Sequence, residues 1–200
     1  MLYTTVKLLK EKDGAYPERF VELSCYGPDE PIPLSKILEM FGLEETLLAL
    51  RATTTPNETE QFMKLLACDY AEHMQPMCEK WRLDEDRGQR AIKAARRFLR
   101  GEATRDELLA AIQCAVNAGT EALEEGVKAQ SSERFDQIVE AVHAIEAAAN
   151  AAQIVAGTAL FVTDVYDLFI NIRYDTEQER EWQTRHLAKM LEEFKLGGEQ

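Results

Sequence analysis

Apolar positions from Leu34 onward recur at steps of three and four residues, which is the period of one face of an α-helix. The spacing predicts six or seven helices, since segments on either side of a glycine can belong to one interrupted helix. The segments are 34–41 and 43–52, which Gly42 separates, 57–80, 86–100, 104–125, 131–156 and 158–172, which Gly157 separates, and 176–194. Helices joined by short connections pack antiparallel. The predicted fold class is therefore all-α, either a multi-helix bundle or a short stacked array of antiparallel helical hairpins.

The ends of these helices carry local signals of their own. Gly101 is placed as the C′ glycine that ends one helix, and Thr104 with Glu107 three residues later forms a capping box that begins the next. Ser131 is a candidate N-cap for the alanine-rich helix that follows. Pro76 falls inside an apolar helical pattern and predicts a kink there, because its ring displaces the carbonyl group four residues back.

Residues 1–33 differ from the rest of the chain. Asp13-Gly14 signals a turn, and prolines and glycine at 27–33 mark an irregular connection. The stretches 3–9 and 19–26 are candidate strands that would pair as a small β-hairpin. The expected organisation is an irregular N-terminal arm of residues 1–33, followed by a single helical domain of residues 34–196.

The negative charge of the chain is concentrated towards its C-terminus. The 200 residues carry 36 acidic and 23 basic side chains, a formal net charge of −13. Residues 1–120 contribute −4 of this charge and residues 121–200 contribute −9. Such a field repels nucleic acid and anionic lipid but attracts basic protein surfaces, so neither direct nucleic-acid binding nor membrane binding is expected.

Basic side chains are clustered only at 87–100, where Arg87, Arg90, Lys93, Arg97 and Arg100 recur at three- and four-residue steps. This stripe has no interleaved aromatic residues on the same helical face, and it lies in an acidic protein. Pairing with acidic side chains of neighbouring helices is therefore predicted in preference to nucleic-acid binding.

The sequence contains no phosphate loop, nucleophile motif or Glu-x-x-His metal motif, so catalytic residues, metal ligands and cofactors are not expected. Its four cysteines have no CxxC spacing, which is typical of reduced thiols in the cytoplasm. The longest apolar stretch, 154–162, is too short to span a membrane.

A sequence motif extends from the second half of the 57–80 helix through the helix after it. Its positions are Ala67, Asp69, Ala71, Glu72, Asp86, Arg87, Arg90, Ala91, Ile92, Ala94, Ala95, Arg96, Gly101 and Glu102. In these residues, and in 31–53 and 179–194, the chain resembles a family of helical phage and bacterial proteins that are called putative immunity proteins. The chain has Gly88 where the family often has proline, and residues 121–175 are more acidic and aromatic than the family's alanine-rich tail.

The resemblance implies a non-catalytic protein that neutralises a toxin by binding it in the cytoplasm of a bacterial host cell. Phage members suggest a counter-defence role such as the inhibition of a CRISPR-type complex. A target with a basic, nucleic-acid-binding surface would meet carboxylates where it normally meets phosphates. The candidate partner-binding residues are Glu121, Glu124, Glu125, Asp136, Glu140, Asp164, Asp167 and Asp175.

Two alternatives remain open at this stage. The chain would be a structural or oligomeric phage protein if exposed aromatic residues such as Tyr166 and Phe169 formed a two-fold patch, and a homodimer is compatible with each role. A metal-dependent hydrolase would use Asp69 and His73, four residues apart on one helix, together with Asp164 and Asp167.

Overall fold

The structure, a computed structural model, describes residues 1–12, 21–76, 78, 86–128, 131–157 and 177–194. The chain divides into two compact units, of which the first comprises Met1–Met63 with Arg173–Gln200 and the second Lys64–Ile172. The predicted helix at 158–172 lies outside the described residues. The division into an arm of residues 1–33 and a domain of residues 34–196 stays a prediction.

A two-stranded antiparallel sheet opens the first unit. Strand β1, Tyr3–Thr4, pairs with strand β2, Ile32–Pro33, with Tyr3 opposite Pro33 and Thr4 opposite Ile32. Thr4 also forms an isolated bridge with Thr53, and its hydroxyl donates a hydrogen bond to the carbonyl of Ala52. The predicted small β-element is thus confirmed, although it joins other residues than expected.

The predicted pairing of 3–9 with 19–26 is wrong, since only Tyr3–Thr4 of the first stretch is a strand and the described part of the second contains none. Helix α1 occupies Val6–Lys12, and a 3-10 turn occupies Val21–Cys25. The hydroxyl of Thr5 accepts a hydrogen bond from the Leu8 amide at 3.1 Å, which satisfies one of the free amides at the beginning of α1. This local cap favours a helix immediately after Thr4, so the extended segment ends after two residues.

Helices α2, Leu34–Phe41, and α3, Leu43–Ala49, follow the second strand and are separated by Gly42. Gly42 has a φ of +87°, a conformation that a side chain would strain. The predicted break at this glycine is confirmed. A 3-10 turn at Leu50–Ala52 completes the segment.

Helix α4, Pro56–Met74, begins with proline at the first helical position, where the missing amide costs nothing. The sequence predicted a helix to about residue 80 with a kink at Pro76. The structure instead ends α4 at Met74, and the described residues Pro76 and Cys78 are again helical after a turn at Gln75, while 77 and 79–80 lie outside the described residues. Pro76 has no N–H to donate and disfavours helical geometry in the residue before it. The amide of Gln75 instead donates to the carbonyl of Glu72 at 3.2 Å, the tighter bond of a helix end.

Helices α5, Arg87–Leu99, α6, Arg105–Val127, and α7, Ser132–Ala156, pack against one another in the second unit. Helix α7 is the most enclosed of the three, since Ala144, Ala148, Ala151 and Ala152 have no exposed surface. Small side chains allow neighbouring backbones to come close. A Cβ atom built on Gly88 of α5 would lie 3.5 Å from the Cβ of Ala148, so α5 and α7 approach closely at this point.

The predicted ends of these helices are confirmed in their hydrogen bonds. After α5, the amide of Gly101 donates to the Phe98 carbonyl at 3.0 Å and that of Glu102 donates to the Arg97 carbonyl at 2.8 Å. This is the Schellman arrangement around a glycine with a φ of +72°. The hydroxyl of Ser131 accepts from the Arg134 amide at 3.2 Å and caps α7.

Helix α8, Glu177–Glu193, returns to the first unit and packs on α2 and α3 through buried Leu187 and Leu191. Phe194, immediately after α8, accepts a hydrogen bond from the Met1 amino group at 2.7 Å. The ring of Phe194 also meets that of Phe62 edge-on, with centroids 5.2 Å apart. The two ends of the described chain are therefore held together in this unit.

We expect Thr104→Ala to lower the free energy of unfolding by about 1 kcal/mol, the usual contribution of an N-cap hydroxyl. The Thr104 hydroxyl accepts from the Glu107 amide at 3.2 Å, and the Glu107 carboxylate accepts from the Thr104 amide at 2.7 Å. Urea unfolding followed by circular dichroism measures the loss. An unchanged unfolding midpoint would contradict the capping role.

The same capping box has a predictable pH dependence. The hydrogen bond from the Thr104 amide, followed by that from its hydroxyl, holds the pKa of Glu107 below its usual value. The stabilisation is therefore present above the pKa of the unfolded carboxyl group and is lost as the pH falls through the lower folded value. The difference in stability between Glu107→Gln and the unaltered protein should consequently shrink between pH 7 and about pH 3.

Candidate interaction surface

Helices α6 and α7 of the second unit form an antiparallel hairpin. A Cβ atom built on Gly126 of α6 would lie 3.0 Å from Cγ2 of Ile138 and 3.5 Å from Cδ2 of Phe135 on α7. Further from the tip, a Cβ atom on Gly119 would lie 3.9 Å from Ile145. Residues closer to the beginning of α6 therefore face residues further along α7, as expected for antiparallel helices. The close approach at Gly126 brings the end of α6 and the beginning of α7 together.

Five of the eight predicted partner-binding carboxylates lie on this hairpin. Glu121, Glu124 and Glu125 belong to the last two turns of α6, and Asp136 and Glu140 belong to the first turns of α7. The structure brings these two groups to the same end of the hairpin. Glu124, Glu125 and Asp136 are exposed, as is Glu121, whereas Glu140 is partly buried. The other three candidates, Asp164, Asp167 and Asp175, lie outside the described residues.

Glu121 differs from the other exposed carboxylates because it has a partner on a neighbouring helix. Its Oε2 atom lies 2.7 Å from Nη2 of Arg87 on α5. This ion pair connects the hairpin to α5 and neutralises part of the charge at the base of the acidic surface. Glu124, Glu125 and Asp136 are therefore the stronger candidates for contact with a basic partner.

The predicted pairing of the basic stripe with acidic side chains of neighbouring helices is confirmed at two of its positions, Arg87–Glu121 and Arg97–Glu107 at 3.9 Å. Two other arginines pair with carboxylates that are close in sequence, Arg90 with Asp86 at 2.9 Å and Arg100 with Glu102 at 2.8 Å. These four ion pairs neutralise part of the charge of the stripe within the chain.

Arg96, which the stripe does not include, makes the strongest of these interactions. Its guanidinium group binds both carboxylate oxygens of Glu72, with Nε–Oε1 at 2.6 Å and Nη2–Oε2 at 2.9 Å, and it also contacts Asp69. The hydrogen bonds that Arg96 donates to Glu72, and then the one that it donates to Asp69, raise the pKa of Arg96 above its usual value. The fork therefore fastens α5 to the end of α4. Sequence reasoning missed this role because Arg96 lies off the helical face that carries the other arginines.

The alternative metal site is weakened by the same arginine. Asp69 and Glu72 turn their carboxylates to Arg96, so Asp69 is already engaged by a cation. Within the described ranges, no group of three or more histidine, cysteine or acidic side chains is placed to hold a metal ion. Asp164 and Asp167, the other two residues of that alternative, lie outside these ranges.

The four cysteines, all in described residues, form no disulfide bond, and two of them are buried in the second unit. Burial raises the pKa of the Cys68 thiol to about 12, so this sulfur stays protonated and unreactive at neutral pH. The thiol of Cys78 donates to the carbonyl of Ala141 at 3.6 Å. Cys25 and Cys114 are exposed.

Exposed apolar side chains on the hairpin escaped the sequence reasoning. Leu109, Val116, Leu123 and Val127 on α6, together with Phe135 on α7, are all exposed to solvent by more than a third. The first three follow one another at seven-residue intervals, a signal that is present in the sequence. It was hidden because Leu108, Ile112 and Ala115 form a second apolar face on the same helix, and that face is buried.

The described residues form a helical fold whose α6–α7 hairpin is acidic at one end and carries exposed apolar side chains. Residues 53–190 match the Imm-5 like putative immunity protein family, and the chain belongs to this family. Membership points to an inhibitory and non-catalytic role. No curated protein and no solved structure matches the chain. Among the helices that the structure describes, none is both long enough and apolar enough to cross a membrane.

Proposed function

We propose that this protein inhibits a protein partner by binding it through the acidic end of the α6–α7 hairpin. The partner is a toxin or a nucleic-acid-binding defence complex with a basic surface, and binding takes place in the cytoplasm of a bacterial cell. The observation that carries the proposal is the exposure of Glu124, Glu125 and Asp136 at one end of one hairpin in a member of an immunity protein family.

The charge of this region favours such a partner. Residues 121–140 contain six carboxylates and two basic side chains. A concentrated negative field accelerates the approach of a positively charged surface and disfavours nucleic acid itself. Carboxylates at this end of the hairpin would occupy the positions on the partner that phosphates occupy when it binds its own substrate. The predicted carboxylates Asp164, Asp167 and Asp175 belong to the proposed surface on sequence grounds alone.

The charge also predicts how the complex responds to salt. Exposed charge pairs are screened over about 8 Å at physiological ionic strength and over about 3 Å at 1 M. Complex formation should therefore weaken as salt is added, and the association rate should fall more steeply than the dissociation rate rises.

The test is affinity capture from a bacterial host lysate with the triple variant Glu124→Lys, Glu125→Lys and Asp136→Lys beside the unaltered protein. We expect the unaltered protein to retain a basic, nucleic-acid-binding protein after nuclease treatment, and the triple variant to retain at least tenfold less. Mass spectrometry identifies the retained protein, and titration of the purified pair gives the ratio of dissociation constants.

A matched control carries the same change of charge elsewhere. Glu22, Glu181 and Glu192 are exposed acids of the first unit, and their replacement by lysine should leave capture unchanged. Equal loss in both triple variants would show a general effect of net charge and would reject this surface. Capture that survives reversal of the hairpin carboxylates would reject it as well, and recovery of this chain alone would favour the oligomeric phage protein.

A further inference from the structure

Helix α6 exposes an apolar seam along its entire outer face. The seam consists of Leu109, Gln113, Val116, Thr120, Leu123 and Val127, which are spaced alternately by four and three residues. On a helix, positions with this spacing stay on one side, and they form the contact line of two helices in a coiled coil. Leu109, Val116 and Leu123 are exposed by 37–40%, and Val127 by 76%.

The seam is distinct from the face by which α6 packs on its neighbours. The buried residues of α6 include one directly before each of four seam residues. They are Leu108, Ile112, Ala115 and Ala122. The two apolar faces therefore have different tasks: one holds the helix in the unit, and the other faces solvent. An ordered row of exposed apolar residues along 18 residues of helix, or about 27 Å, is more than the scattered exposure that is normal on a surface.

The two polar members of the seam do not need a partner for their hydrogen bonds. The hydroxyl of Thr120 donates to the carbonyl of Val116 at 3.1 Å. The amide nitrogen of Gln113 donates to Oδ1 of Asn117 at 2.9 Å. A helix laid on the seam would leave both of these hydrogen bonds in place.

The charges beside the seam specify the occupant. Between residues 106 and 127 there are five carboxylates and no lysine or arginine, and Arg105 at the first position of α6 is its one basic residue. Glu107 and Glu121 are paired with Arg97 and Arg87, so Asp106, Glu124 and Glu125 are the carboxylates that face a partner. A second copy of α6 would bring these carboxylates against their own kind, whereas a basic helix would meet them with opposite charge.

We propose that the seam binds an amphipathic helix of the inhibited partner, with apolar residues on one face and lysine or arginine on its flanks. This inference rests on the proposed function, since it names the structural element through which the partner is held. The seam contributes most of the affinity by burying apolar surface, and the carboxylates contribute rate and selectivity.

The probe is a synthetic 21-residue helix with leucine at heptad positions a and d and lysine at the flanking positions. Two matched peptides replace the lysines by glutamate or scramble the sequence. Fluorescence anisotropy measures binding to the full chain. We expect the lysine helix to bind at least tenfold more tightly than either matched peptide. Equal binding of the lysine and scrambled peptides would overturn the proposal, because charge alone would then explain the interaction.

Variants of the chain locate the binding. Val116→Asp and the milder Leu123→Gln should each weaken binding of the lysine helix at least fivefold while circular dichroism shows folded protein. Gln178→Asp, which adds the same charge at an exposed position of α8, should not change binding. Unchanged binding in both seam variants would overturn the proposal. So would a dimer of the unaltered chain, seen by light scattering, that Val116→Asp dissociates, because the occupant would then be a second copy.

The capture experiment separates this inference from the function on which it rests. If reversal of the hairpin carboxylates abolishes capture but Val116→Asp and Leu123→Gln do not reduce it, the proposed function stands and the helix-binding seam is rejected. If Leu123→Gln captures at least fivefold less partner while its folding is unchanged, the result supports both the proposed function and the helix-binding seam.

Discussion

Replacing Ala148 by leucine is expected to lower the free energy of unfolding by about 3 kcal/mol, the largest change that a single substitution in the second unit should produce. Ala148 has no exposed surface, and it faces Gly88, where even a Cβ atom would lie only 3.5 Å away. Three added carbon atoms have no space on this side of α7. The helices α5 and α7 must then separate, or the leucine must adopt a strained rotamer.

Urea unfolding followed by circular dichroism at 222 nm measures this effect. Asn150→Leu supplies the control, because Asn150 lies two residues further along the same helix and is exposed. The control should change the free energy of unfolding by less than about 0.5 kcal/mol. If Ala148→Leu were as stable as Asn150→Leu, the close packing of α7 on α5 would be refuted.

Arg96→Met is expected to lower the free energy of unfolding by about 2 kcal/mol, since removing one member of a partly buried ion pair leaves the other members uncompensated. The Arg96 and Asp69 side chains are only 25% and 22% exposed, so water replaces the lost guanidinium group poorly. Glu72 is about half exposed, and for this reason the expected loss is smaller than for a fully buried network.

Two further variants distinguish the fork of Arg96 from simple charge. Arg96→Lys keeps the charge but not the two parallel hydrogen bonds to Glu72, so it should recover only part of the stability. Arg97→Met removes a neighbouring exposed arginine that lies 3.9 Å from Glu107 and should cost less than about 0.5 kcal/mol. Equal effects of Arg96→Met and Arg97→Met would contradict the bridging role of Arg96.

The cause of each difference between the sequence prediction and the structure can be located in particular residues. The strand expected at 3–9 had a plausible apolar pattern, yet Thr5 caps a helix there, and the partner of β1 comes from Ile32–Pro33, about 30 residues away. A strand depends on a partner that is remote in sequence, whereas a helix forms its hydrogen bonds within itself. Strand assignments in the N-terminal arm were therefore the least secure part of the prediction.

For the acidic end of the α6–α7 hairpin, the sequence predicted the negative charge but not the contacts of the individual carboxylates. The clustering of acidic residues beyond residue 120 is visible in the sequence, and so are the ends of α6 and α7. The engagement of Glu121 by Arg87 is not visible, because these residues are 34 positions apart and meet only when α5 packs on α6. The sequence therefore ranked Glu121 with Glu124 and Glu125, while the structure gives it a second role.

The helical class, most helix boundaries, the capping box at Thr104 and the glycine end at Gly101 could be predicted from the sequence, because these signals act between residues at most five positions apart. The tertiary structure decided which of the two apolar faces of α6 is buried. Periodicity identifies both Leu108–Ile112–Ala115 and Leu109–Val116–Leu123 as helical rows, but it contains no information about the neighbouring helix. Packing against α5 and α7 covers the first row and leaves the second exposed, since a helix surrounded on one side only can bury only one of its faces.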